Sequence, residues 1–151
     1  MTVNRWHSNP WPALRNSGDT IDAHQWRVWR LLMKIYPGAS IELQHYALTH
    51  DEAERTLGDM PSPAKDKFPE LAAMYEQAEA GERARMGWQA VLPDHWQWVR
   101  LCDMADAYRW AELHEPRALG RDGFPELADE IRFDCIALGV SEWQLADAVG
   151  W

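Results

Sequence analysis

The stretch "DAHQWRVWRLLMKIY", Asp22 to Tyr36, decides the fold class. Trp26, Trp29, Leu32, Met33 and Tyr36 recur at steps of three and four, the spacing of one face of a helix. The spacing predicts a helix over 22–36 with these five side chains towards the core. "PGAS" ends it and offers Ser40 as the cap of a second helix from Ile41. That second helix carries Leu43, Ala47, Leu48 and Asp51 as far as about Leu57, where Gly58 and two prolines break it. The same period recurs downstream. "KFPELAAMYEQAEAGERARMGW" gives a third helix with Pro69 in its first turn, and Pro93 and Asp94 open a fourth through Trp98, Leu101, Cys102, Ala105, Tyr108 and Trp110. "GRDGFPELADEIRFDCIALGV" gives a fifth, and Ser141 caps a short last helix ending at Gly150. β-branched residues are few and clean alternation is absent, so strand signals are weak. The expectation is an all-α, compact bundle of five to six helices, one domain over residues 1–151.

Composition narrows the partners. The 151 residues are 46% apolar and 26% charged, ordinary for a globular chain, and no run approaches the length needed to span a bilayer. "MTVNRWHSNPWPALRN" lacks the apolar centre of a secretory signal, and Cys102 and Cys135 are isolated thiols suited to a reduced compartment. A cytoplasmic protein is expected. A net charge of −9 repels nucleic-acid polymers, but a metal or a few local cations can reverse the field inside one pocket and admit a small phosphate ligand. Ten tryptophans point first to a subunit contact and second to stacking on a ring-shaped ligand.

Within this frame, four polar side chains sit among apolar neighbours: His24 in "AHQW", His50 and Asp51 in "ALTHDEA", and Asp103 in "LCDMA". Buried His and Asp are costly unless paired or bound to a metal. Two imidazoles and two carboxylates suit Mn, Fe, Co, Ni or Zn and leave coordination positions for water and a phosphate oxygen. Taken alone the pattern is weak, and helix capping or satisfied core polarity explains it equally well. "THDEAERTLGDMPSPAK" adds specificity. Together with "AHQWRV" and "CDMADAY" it resembles the metal-binding segments of the HD-domain phosphohydrolases. Within them it is similar to the bacterial 5′-deoxynucleotidases and the related short phage-type dATP triphosphohydrolases, over roughly residues 4 to 110.

That resemblance implies an all-α fold and a divalent transition metal (Co, Mn, Zn, Ni or Fe) held by His24, His50, Asp51 and Asp103. It allows additional Mg with a triphosphate substrate. It makes Glu54 the catalytic carboxylate, one helical turn beyond His50 and Asp51, and Asp59 a loop aspartate at the sugar or the water. The bland alternatives are a solvated Glu54 paired with Arg55 or Lys65, and an Asp59 that caps a turn. "NRW" matches an Arg-Trp pair near sugar and phosphate: Arg5 would hold a phosphate and Trp6 would press on C2′ and exclude a ribose hydroxyl. The spacing from Trp6 to Arg15 is longer than the family's, so Trp11 competes with Trp6 for that part. Lys65 takes a phosphate-contact position, and Arg15 or Arg27 adds charge. His45 and His95 have no place in the motif. The implied substrate is a small deoxynucleotide, a mono- or a triphosphate, and the implied assembly a homo-oligomer, a dimer or hexamer. Two rivals remain at this level: hydrolysis of a signalling nucleotide such as ppGpp, of which "HDEAE" with Glu52 is a loose echo, and a non-catalytic nucleotide-binding protein on the same scaffold.

Overall fold

Helix-capping chemistry punctuates the whole chain. The computed structural model describes residues 3–60, 62–88 and 93–151. In order these form α1 (Pro12–Arg15), α2 (Ile21–Ile35), α3 (Ile41–Ala47), α4 (Glu54–Leu57), α5 (Ser62–Lys67), α6 (Pro69–Arg85), α7 (Pro93–His114), a 3-10 turn (Pro116–Gly120), α8 (Phe124–Leu138) and α9 (Glu142–Val149). No strand forms among the described residues, so the fold is all-α, as the period requires. Thr20 caps α2, its hydroxyl accepting from the Ala23 N–H at 3.2 Å. Ser40 caps α3 the same way through Leu43. At α9 Ser141 and Gln144 form a reciprocal capping box. Gly139, with φ of 69°, ends α8 in the left-handed conformation and lets the Val140 N–H reach back to the Cys135 carbonyl.

α7 is the central element, packed by α2 and α3 on one side and by α8 and the 3-10 turn on the other. Val99, Leu101, Cys102, Met104 and Ala105 are consecutive enough to bury most of its circumference. Val99 and Cys102 join Val28, Leu32, Leu43 and Ala47 in one cluster, whereas Leu101, Met104 and Ala105 join Ile131, Cys135 and Leu145 in a second. α6, with no buried residue, lies against α4 and α5 at the periphery. Both cysteines are buried free thiols, and no described helix is long and apolar enough to cross a membrane.

Three expectations are corrected. Leu32 is buried and Trp29, Met33 and Tyr36 pack against the core as expected, but the fully buried face of α2 is Ile21, His24, Gln25, Val28, Leu31 and Leu32, and Trp26 is 51% exposed, stacking on Trp29 with ring centroids 4.7 Å apart. The physical reason is that His24 and Gln25 find polar partners inside, so polar side chains occupy positions that hydrophobicity would assign to tryptophan. The second helix does not continue to Leu57: it stops at Ala47, and residues 48–53 form tight turns before α4. Finally, the segment after Gly58 is not only a loop, since Ser62–Lys67 is helical; Pro61 of the expected proline break lies outside the described residues.

Candidate metal centre

His24 and Asp106 meet across the α2–α7 interface, and the rest of the site assembles around that contact. Asp103 and Asp106 are three residues apart and share the face of α7 that meets α2. His24, fully buried, donates from Nδ1 to Asp106 Oδ2 at 2.7 Å. Arg27, one turn along α2, donates from Nε to Asp106 Oδ1 (2.7 Å) and from Nη2 to Asp106 Oδ2 (2.9 Å) and Asp19 Oδ1 (2.8 Å). The Arg27 guanidinium lies 4.2 Å from the ring centroid of Trp110. His24 is therefore held in one orientation by a carboxylate that is itself clamped.

The turn over residues 48–53 supplies the opposite side. There the backbone uses i to i−3 bonds, Glu52 to Thr49 and Glu54 to Asp51 among them, so the chain winds more tightly than an α-helix. The buried Gln25 amide fills the break: its nitrogen donates to the Leu48 carbonyl (2.8 Å), and its oxygen accepts from the N–H groups of Asp51 (3.3 Å) and Glu52 (3.2 Å). Arg83 of α6 donates to the Thr49 carbonyl at 2.6 Å. Side chains thus replace the bonds that helical continuation would have made. The result presents His50 with Nδ1 donating to the Ala47 carbonyl (2.9 Å) and Nε2 turned inwards.

Both imidazoles therefore carry hydrogen on Nδ1, because a carbonyl and a carboxylate only accept. Their Nε2 atoms face each other at 3.2 Å. Asp51 Oδ2 lies 3.4 Å and Asp103 Oδ1 3.0 Å from His24 Nε2, and Asp51 Oδ1 lies 3.4 Å from His50 Nε2. Two neutral imidazoles so placed would oppose lone pair to lone pair beside two carboxylates. Positive charge must lie between them, as a proton or as a metal ion. As a proton it sits on His24, whose pKa is raised: burial and Arg5 push it down, and Asp103 and Asp106 outweigh them. As a metal ion it has ligand atoms from His24, His50 and Asp51 within 4.8 Å of one another, a set that could hold it. The donor set fits a divalent transition ion.

Asp103 is placed at the same point but is shared. Its Oδ1 accepts from Arg5 Nη2 at 2.7 Å, and although burial raises its pKa, His24 and Arg5 hold it well below the usual carboxylate range. Arg5 arrives on an N-terminal strap whose backbone pairs with residues 19–21, through Arg5 N–H to the Asp19 carbonyl (3.0 Å) and Ile21 N–H to the Val3 carbonyl (3.1 Å). Next to it, Trp6 donates from Nε1 to Asp19 Oδ2 at 3.0 Å and has the Arg5 guanidinium 5.2 Å from its ring. Trp11 is tied elsewhere, its Nε1 donating to Asp122 Oδ2 at 2.7 Å in front of α8. Of the two indoles, Trp6 is the one beside the cluster.

The expected acids also gather. Glu54 opens α4, and its pKa is pushed up to about 9, by burial first and then by Asp51 and Asp59, with Arg5 opposing. Arg55, the alternative partner, bonds Glu52 and Asp22. Burial raises Asp59 as well, Lys65 and Arg5 pulling it back, and the Ser8 hydroxyl approaches its Oδ2 at 3.5 Å. Lys65 lies with its ammonium 5.7 Å from the Tyr75 ring. Arg15 is exposed at the end of α1, where its carbonyl accepts from the Asn4 amide at 2.8 Å. Arg27 serves Asp106 and Asp19 in place of the open charge expected of it.

Sequence reasoning missed Asp106, Gln25, Arg83 and Glu79. Asp106 had a signal, a second carboxylate one turn after Asp103 in "DMAD" among apolar neighbours. Gln25 had none, since a neutral amide in a helix reads as surface. Glu79, raised by burial and by Asp51, and Arg83, lowered by burial, reach the site only because α6 folds back over the turn.

No family model matches the chain, and no solved structure does. The chain is similar to a dATP triphosphohydrolase of Cyanophage S-2L, 32% identical over 117 residues; the alignment covers 72% of this chain and 66% of that protein's length. The chain is related to a phosphohydrolase, and it carries a His-His-Asp group, His24 buried and His50 and Asp51 half-buried, that could hold a metal ion.

Proposed function

We propose that the protein is a metal-dependent phosphohydrolase of the HD-domain kind acting on 2′-deoxynucleotides, with a deoxynucleoside triphosphate as substrate. The observation that carries this reading is the pair of Nε2 atoms 3.2 Å apart, each imidazole locked through its Nδ1, beside Asp51 and Asp103. The likeness to the phage triphosphohydrolase supports the choice of a triphosphate. His24, His50, Asp51 and Asp103 would hold one divalent ion, which when bound supplies a Lewis acid for a phosphoryl oxygen and acidifies water.

The chain's own residues do the remainder. Arg5, already within the acid cluster, offers a planar fork to phosphate oxygens, and Lys65 adds a point charge on the Asp59 side. Trp6 covers the sugar at C2′ and leaves no room for a ribose hydroxyl. Glu54 and Asp59 orient the attacking water and take its proton towards the leaving oxygen. Water oxygen bonds to the α-phosphorus, the bond from that phosphorus to O5′ breaks, and O5′ receives the proton, giving deoxynucleoside and triphosphate. Asp106 and Arg27 act through His24 without touching substrate.

The test is release of phosphate and triphosphate from deoxynucleoside mono- and triphosphates and from ribonucleoside triphosphates, with Mn or Co and with chelator. Turnover of deoxynucleoside triphosphates that requires the metal and disappears in Asp103→Ala is expected. Turnover indifferent to chelator would overturn the metal reading, and activity restricted to ribonucleotides would overturn the role of Trp6.

A further inference from the structure

The face of α2 that carries Arg27 also carries Arg30 and Lys34, at steps of three and four. Opposite it, α7 presents Asp106, Arg109 and Trp110, and the C-terminal end of α9 closes the crevice. The crevice so formed, open to solvent on one side, has a volume of about 340 Å³, within the range of small-ligand sites. Four cations line it against one carboxylate, in a chain that has nine more acids than bases. It abuts the metal centre through Arg27 and Asp106, but none of His24, His50, Asp51, Glu54, Asp59 or Asp103 lines it.

Three of these cations keep donors in reserve. Arg27 is spent on Asp106 and Asp19. Arg109 uses Nη1 for Glu112 at 2.6 Å and has the rest of its fork open. Lys34 gives one of its three N–H groups to the Ala148 carbonyl at 2.9 Å. Arg30 is exposed and is bonded to no described residue. Such a set concentrates positive potential in a concave, partly apolar space walled by Trp110, where focusing raises local anion concentration. We infer that this crevice is a second binding site, for a phosphate-bearing small anion, distinct from the centre where hydrolysis is proposed.

Chelator-treated protein titrated calorimetrically with sodium tripolyphosphate tests it, and orthophosphate in a parallel titration shows whether a chain of phosphates or a single one is read. Expected is saturable tripolyphosphate binding that weakens at least tenfold in Arg30→Glu, is unchanged in Lys65→Ala, and falls as sodium chloride is added. Arg30 is exposed and outside the metal centre, so Arg30→Glu folds and keeps its basal phosphohydrolase activity. No saturable heat in the wild type, or an Arg30→Glu protein that binds as the wild type does, would overturn the site. Because the readout is binding without metal or turnover, a failure of the hydrolase reading is seen separately, in the phosphate-release assay.

Discussion

Replacing Asp106 with asparagine keeps the shape of the side chain and removes one acceptor edge. The carboxylate now accepts from His24 Nδ1, Arg27 Nε and Arg27 Nη2, all within 2.9 Å. An asparagine turned to accept from His24 sets its NH2 against the Arg27 Nε–H; turned the other way, it sets NH2 against His24. The first orientation loses one charge-assisted bond, at about 1.5–3 kcal/mol, and the second loses two, because NH2 then also meets Arg27 Nη2, so the first is preferred. Arg27 retains Asp19, which limits the damage. For a chain of this size that loss corresponds to a fall in Tm of roughly 3–12 °C. The larger consequence concerns His24. A neutral amide oxygen holds the Nδ1 hydrogen less firmly than a carboxylate does, so the ring is freer to take its hydrogen on Nε2, the atom that must stay bare to bind a metal ion. Changes to such supporting partners cost about 10–100-fold in metal affinity, or about 1.4–2.8 kcal/mol. The measurement is the Co dissociation constant by competition with a fluorescent chelator, paired with long-range ¹⁵N–¹H NMR to read the His24 tautomer. A folded Asp106→Asn protein that binds Co within twofold of the wild type, with His24 hydrogen still on Nδ1, would refute the reasoning.

Three other outcomes follow from the same geometry. Gln25→Leu strips the Leu48 carbonyl and the Asp51 N–H of their partner, costing roughly 1–3 kcal/mol for each buried group left unpaired; thermal unfolding and faster amide exchange over residues 48–53 would show it, and an unchanged Tm would contradict the plug assigned to this amide. Glu54 has a folded pKa of about 9, above the ordinary 4.5, so folding of metal-free protein takes up a proton and its stability falls as pH rises from about 4.5 to about 9. Glu54→Gln should therefore raise the Tm of chelator-treated protein at pH 8 and leave it unchanged at pH 4; equal effects at both values would remove the electrostatic argument. Trp6→Ala should lower the ratio of kcat/KM for deoxy- over ribonucleoside triphosphate at least tenfold, chiefly by raising ribonucleotide turnover, and a ratio that stays put assigns the indole to packing alone.

Helix positions were legible because they follow from local chemistry. Ser40, Ser141 and Pro69 act within a turn of where they stand in the chain, and the structure uses each at a helix start. Facing was harder. Trp26 lost the core to His24 and Gln25, whose burial depends on Asp106 and on the backbone of residues 48–52, partners distant in sequence. The break after Ala47 has the same origin: "HYALTHDEAERTL" contains no proline or glycine before Gly58, and the turns exist because Gln25 and Arg83 satisfy them from other helices. The expected proximity of Glu54 to Asp51 survives that break, since tighter winding over the same residues keeps their electrostatic coupling. No uninterrupted helical face joins the two acids, yet they are neighbours.

Arg5 gives the clearest view of how charge is balanced at this centre. Asp51, Asp103 and Asp106 converge on His24, and Asp51 is close enough to raise the pKa of both Glu54 and Asp59. Against them stand Arg5, Arg27 and a proton on His24. Arg27 is committed to Asp106 and Asp19, which leaves Arg5 as the guanidinium set against Asp103, at 2.7 Å. A divalent ion held by His24, His50, Asp51 and Asp103 would take the place of the His24 proton and would share Asp103 with Arg5. Arg5, its hold on Asp103 loosened, would then be placed to take a phosphate oxygen. On the proposed function, metal binding and readiness for an anionic substrate would be two results of one exchange of partners. Their linkage requires that Arg5→Ala tighten Co binding or leave it unchanged while raising KM, and an Arg5→Ala protein with weakened Co affinity and an unaltered KM would break it.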